Sequence, residues 1–180
     1  ILNKMLNYKL NRKIVVYLYS SYYVKFRILN SNPQLPFAKP SGNQIHLVVD
    51  DLYNMILRHE LTHLIGAQIS GNLIGAPLNI GLTEGLAVSY GESADSPDRL
   101  KTAALLLAEN KLPAADKIFS VLGFTLTNLS VRQKYKIAGA FIDYLREYYA
   151  PEKILEWYKS NDFKKAFHRS IGEIDGEWRG

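Results

Sequence analysis

His59 and His63 stand four residues apart with Glu60 beside the first, in the run Arg58-His59-Glu60-Leu61-Thr62-His63-Leu64. On an α-helix that spacing amounts to about 40° of rotation and about 6 Å of rise, so both imidazoles can reach one ion. Neutral imidazole is a good zinc ligand at about 2.0–2.1 Å. Glu60 points to the neighbouring side, where a carboxylate can take a proton from a water at the ion instead of binding the ion itself. A lone histidine on an apolar helix face is ordinarily a hydrogen-bonded core residue, but two with an interposed glutamate need a shared partner.

A catalytic zinc site usually has three protein ligands and an open position. One extended form of the pattern adds a histidine six residues after the second, and here that position is Ile69. Further on, Gly81-Leu82-Thr83-Glu84-Gly85-Leu86-Ala87-Val88 sets a carboxylate in an otherwise apolar stretch, with Thr83 able to cap a new helix. Glu84 as third ligand completes a two-histidine, one-glutamate zinc site. His46 reads as a surface residue of its strand rather than a fourth ligand, because the set is complete without it.

The helix carrying the pair is expected over 51–70. Asp50-Asp51 offers its N-cap, Leu52, Met55, Ile56, His59 and His63 share its buried face, and Gly71-Asn72 ends it. A strand from Gln44 to Val49 leads directly into it; at a sheet edge, that strand's free backbone groups would suit an extended peptide. Before it, Lys13 to Tyr19 reads as a strand and Ser20-Ser21 as the cap of a short helix through Phe26 and Leu29. Ile1 to Leu10 has mixed helical character, and Asn30 to Pro36 breaks regular structure. Asn72 to Ile80 reads as a loop, followed by the Glu84 helix to about Gly91. Ser96-Pro97-Asp98 opens another helix, Pro113 to Val121 a short one, and Ser130 a long amphipathic one to about Ala150. Pro151 starts a helix through Trp157, and Asn161 or Asp162 caps one leading to Ile171. The fold class is α+β: one catalytic domain over 1–180, with a sheet-bearing lobe over about 1–71, a mostly helical lobe over about 72–180, and the histidine helix between them.

These motifs together resemble the gluzincin metallopeptidases, and in particular the small bacterial group of peptidase MA-like proteins. Ser41 to Leu47 is similar to the strand before that family's active-site helix, Tyr135 to Leu145 to a later helix, and Phe167 to Gly172 with Glu177-Trp178-Arg179 to its closing segment. The resemblance implies a zincin-like fold, Zn2+ held by His59, His63 and Glu84, and Glu60 activating water to hydrolyse a peptide or protein substrate. An oxyanion donor is also needed. Tyr135 is the leading candidate, ahead of Tyr90, Tyr144 and His168. The chain departs from the thermolysin-like pattern at Val88, where an aspartate would support a zinc histidine, and at Gly81-Leu82, where relatives carry a bulky aromatic. Support must then come from a backbone carbonyl, Glu92 or Asp143. The rival readings are a catalytically silent zinc-containing domain that binds peptides as a scaffold, and hydrolysis of a non-peptide amide.

Twenty-two Lys and Arg against 17 Asp and Glu give a net charge of +5. The cations are scattered from Lys4 to Arg179, which favours a solvated surface over nucleic-acid binding. With no cysteine, disulfides and thiolate metal sites are excluded. The longest apolar run, from Ile14 through Tyr23, is well short of the roughly 20 residues that span a bilayer. The chain begins at Ile1 without an initiator methionine, which suggests a processed protein and, with it, export or a place in a bacterial cell envelope.

Overall fold

The computed structural model describes residues 13–30, 37–54, 56–70, 79–91 and 98–180. The β-branched and aromatic run Val15–Tyr19 forms β1. Ser21 then turns the chain into helix α1, Tyr22–Leu29, its hydroxyl accepting the Val24 N–H at 3.3 Å. Two further strands, β2 (Phe37–Lys39) and β3 (Gln44–Val48), are joined through a 3-10 turn at Pro40–Gly42 and Asn43 at a positive φ of 49°. The reversal makes β2 antiparallel to β3, whereas β1, arriving by a crossover, lies parallel to it. Sheet order is β1-β3-β2. The strand before the histidine helix is therefore central, so the condition for its pairing with an extended peptide, a place at the sheet edge, is not met; Ile45 and Leu47 within it are fully buried. The edge beside the histidine helix belongs to β2.

Helix α2 spans Ile56–Ser70 and starts later than expected, after a 3-10 turn over Val49–Asn54. Asp51 does not cap it. Buried in that turn, Asp51 accepts the Val48 N–H at 2.8 Å and the Tyr22 hydroxyl at 3.0 Å, tying the turn to β3 and α1. Helix α3, Ile80–Gly91, is capped by Asn79 and not by Thr83. The Asn79 side chain accepts the Leu82 N–H at 3.0 Å and donates to the Phe119 carbonyl at 2.6 Å, so one residue both starts the helix and docks it. Thr83 lies inside the first turn, its hydroxyl donating back to the Asn79 carbonyl.

The rest is helical: α4 (Asp98–Ala108), α5 (Ala115–Ile118), α6 (Val121–Leu126), α7 (Val131–Tyr148), α8 (Pro151–Ser160), α9 (Phe163–Phe167) and α10 (Ile171–Arg179). A reciprocal capping box between Ser130 and Gln133 starts α7. Of the two caps open for the helix leading to Ile171, Asn161 and Asp162, the structure uses Asp162, and the single expected helix is two: His168 closes α9 in a left-handed conformation, and Ser170 with Glu173 caps α10. Among the described residues no helix is long and apolar enough to cross a membrane. The expectations for Ile1 to Leu10, for 31–36, for most of the loop over 72–80 and for the Ser96-Pro97 cap lie outside the described residues.

Among the described residues two apolar clusters form the core. The larger gathers Leu82, Leu86, Ile137, Phe141, Trp157 and their neighbours among the helices; the smaller is Ile45, Leu47 and Leu64. Helix α2 belongs to both, sending Leu64 to the sheet and Ile65 and Ile69 to the helices. Helix α3 runs between α2 and α7. Glycine permits its close approach to α2: a Cβ on Gly91 would stand 2.6 Å from the His59 Cα.

Candidate metal centre

Four-residue spacing on α2 and the close approach of α3 bring three polar side chains to one point. His59 Nε2 and His63 Nε2 are 3.1 Å apart, with the rings edge to face at 82°. Glu84 Oε2 lies 3.4 Å from the first and 3.6 Å from the second. A tetrahedral ion with bonds of about 2.0–2.1 Å has ligand atoms about 3.4 Å apart, so this triangle has the size of one face of a zinc coordination shell. Burial pushes the His63 pKa down to about 4, leaving its ring neutral near pH 7. Two ring nitrogens and a carboxylate oxygen turned toward one another form a donor set that a divalent cation satisfies. The three side chains are 23%, 17% and 19% exposed, so they line a cleft more than they face a core.

No family model matches the chain, and neither curated proteins nor solved structures give a match.

Glu60 is buried and its carboxylate accepts a hydrogen bond from the backbone N–H of Ala38 on β2. Burial pushes its pKa up, against the opposing pull of His59 and of the Ala38 N–H. This carboxylate thus lies close enough to the sheet edge to be bonded by it and close enough to His59 and Glu84 to feel their charge.

Tyr135, on the first turns of α7, shares a cleft of about 430 Å³ with His59 and Val88. Burial and the nearby Glu84 carboxylate push its phenol pKa up to about 12, so at neutral pH it keeps a proton to donate. The weaker oxyanion candidates are placed otherwise. Tyr90 is buried beneath the Arg146 guanidinium, 4.1 Å from its ring centroid. Tyr144 packs against Phe141 and Tyr148, and His168 ends α9 on the exposed surface.

Asp143 is committed elsewhere, accepting from Arg99 and from the Ser89 hydroxyl at 2.7 Å. Glu92 lies outside the described residues. His46 is buried, contrary to its expected place on the surface: its ring is sandwiched between Tyr17 and Phe37 at 4.9 and 4.8 Å, and Nδ1 lies 2.9 Å from the Tyr19 hydroxyl. Among the described residues the candidate metal cluster does not include it.

Tyr158 is a supporting residue that the sequence reading missed. Its ring fills the space a side chain on Gly66 would take, with Oη 2.4 Å from where a Cβ would stand, and it hydrogen-bonds Thr83 one position before Glu84. Gly66 inside the motif helix was the available signal, since an interior helical glycine often marks close packing. The Ala38 N–H, a backbone group on a three-residue strand, had no signal in the sequence.

Proposed function

We propose that this chain is a zinc-dependent peptidase of the gluzincin type with a zincin-like fold, in which His59, His63 and Glu84 hold the ion. The observation that carries the reading is the ligand triangle of 3.1, 3.4 and 3.6 Å with a buried carboxylate, Glu60, immediately beside it. A zinc ion bound there would supply Lewis acidity to a scissile carbonyl and make a nearby water more acidic. Glu60, desolvated and held by Ala38, accepts the proton of the attacking water and delivers it to the leaving amine. Tyr135 donates its hydroxyl to the oxygen on which negative charge develops. The substrate backbone runs beside β2, the strand whose outer edge reaches the site through Ala38.

Cleavage of a quenched-fluorescence peptide library by the zinc-loaded protein tests the proposal. Glu60→Gln should abolish cleavage while one zinc per chain remains. Zinc binding without cleavage in the unsubstituted protein would favour the silent peptide-binding domain, and cleavage unaffected by Glu60→Gln would remove the mechanism.

A further inference from the structure

The cleft that opens beside His59 has a charged far wall. Its lining includes Arg132 and Lys136, which flank Tyr135 on the first turns of α7, and Asp98 at the start of α4. Positions 132, 135 and 136 are three and four apart, so all three side chains emerge on one face of the helix. Lys136 and Asp98 form an ion pair across the cleft. Among the described lining residues Asp98 is the one carboxylate, and Lys136 pairs with it; Arg132, which is exposed, acts on Asp98 through space without an ion pair of its own among the described residues. Among the described residues one guanidinium charge is left in excess at the mouth of the cleft.

Its place in the helix makes the arrangement pointed. The first turn of α7 carries no acidic residue and instead presents Arg132, although helix N-termini favour anions and disfavour cations. The capping box at Ser130 and Gln133 fixes this turn, so the guanidinium emerges from an anchored stretch of backbone. The positive end of the helix and Arg132 turn the same sign of potential toward a cleft that reaches His59.

Resting on the peptidase reading above, we propose that Arg132 forms a carboxylate-binding subsite and that the preferred substrates are acidic peptides. The carboxylate would lie on the side of the scissile bond that passes over the start of α7. Arg132 binds it directly with its planar pair of N–H donors, while Lys136 stays paired with Asp98. Such a carboxylate comes either from an Asp or Glu side chain or from the free C-terminus of the peptide.

The test is fluorescence anisotropy of labelled peptides on the zinc-loaded Glu60→Gln protein, which reads binding without turnover. Peptides capped at both ends carry Glu, Gln or Lys at each position in turn, and a second set compares a free C-terminus with its amide. At one position the Glu peptide should bind about 10-fold more tightly than the Gln peptide, the gain of one charge-assisted contact. Adding Arg132→Gln should bring that ratio close to one, Arg132→Lys should restore part of it, and Arg132→Glu should shift the preference to Lys. Preference for the free C-terminus alone would keep the subsite and assign the carboxylate to the chain end. Equal binding of Glu and Gln peptides at every position together with equal binding of the free and amidated C-termini, no binding of any peptide that carries a carboxylate, or a preference that survives Arg132→Gln with zinc content and circular dichroism unchanged would overturn the inference. Cleavage of the same peptides by the unsubstituted protein separates the two claims: cleavage without acidic preference defeats only the subsite, and acidic preference without cleavage defeats only the hydrolysis.

Discussion

Helix α2 is gripped differently on its two sides. Toward the sheet it meets a thin apolar cluster, Ile45 and Leu47 with its own Leu64, surrounded by buried polar groups: Lys25, His46, Asp51 and Glu60. Toward the other helices it joins an extensive apolar core that includes the interlocking rings of Phe119, Phe141, Trp157, Phe163 and Phe167. Glu84 stands on the helical side, on a helix buried along most of its length, whereas Glu60 is bonded to the sheet through Ala38. The difference separates two regions: apolar packing among helices sets the His59-His63-Glu84 triangle, and a hydrogen bond from a small sheet holds Glu60, the carboxylate proposed to carry the proton.

The largest expected effect comes from breaking the helical side. Phe141→Ala, at a fully buried position, should cost about 3–5 kcal/mol in urea unfolding and reduce zinc binding in step with the loss of fold. Leu47→Ala on the sheet side should cost about 2–5 kcal/mol, with zinc affinity retained in the protein that stays folded and hydrolysis impaired. The opposite pattern, in which zinc binding survives Phe141→Ala and vanishes with Leu47→Ala, would invert the assignment.

Tyr135→Phe follows. If its hydroxyl stabilises developing charge, kcat should fall by about 10²- to 10³-fold with KM and zinc content little changed. A tyrosine that only packs would leave kcat near its original value.

Gly91→Ala sharpens the comparison at the joint between α2 and α3. The new methyl would meet the His59 backbone, so the helices must separate. A loss of about 1–3 kcal/mol in stability is expected, together with weaker zinc binding than the same loss produces at a position remote from the site.

The smallest effect is a pH dependence on the sheet side. Burial, with Lys25 and Lys39 nearby, lowers the His46 pKa below its ordinary value. The unfolded chain therefore takes up a proton first as pH falls through about 6.5, and stability is lost downward from there until His46 itself protonates. The slope from this group is at most about 1.4 kcal/mol per pH unit. His46→Gln should make the decline between pH 6.5 and 5 shallower; an unchanged slope would show that His46 is not desolvated by the sheet.

Legibility in the sequence followed how local each feature was. The convergence of His59 and His63 was readable because helical periodicity alone puts them on one face, and Glu84 because a carboxylate in an apolar run needs a partner. Sheet order was not readable. Whether β3 is central depends on a parallel crossover from β1 and on a three-residue strand, β2, close to two prolines, and neither leaves a periodic trace. Burial of His46 had the same origin, since its covering rings, Tyr17 and Phe37, come from both neighbouring strands. Thr83 and Asn79 were both chemically able to cap α3. The choice fell to Asn79 because Phe119, forty residues away in the chain, supplies an acceptor for its amide.

The most direct test of the central claim is an equilibrium zinc titration of the purified protein beside its Glu84→Ala and His63→Ala variants, with folding of each checked by circular dichroism. One zinc per chain is expected in the unsubstituted protein, and affinity should fall by orders of magnitude in both variants while their folds persist. Failure to bind stoichiometric zinc, or binding that Glu84→Ala leaves intact, would contradict the ligand triangle and the peptidase proposal built on it.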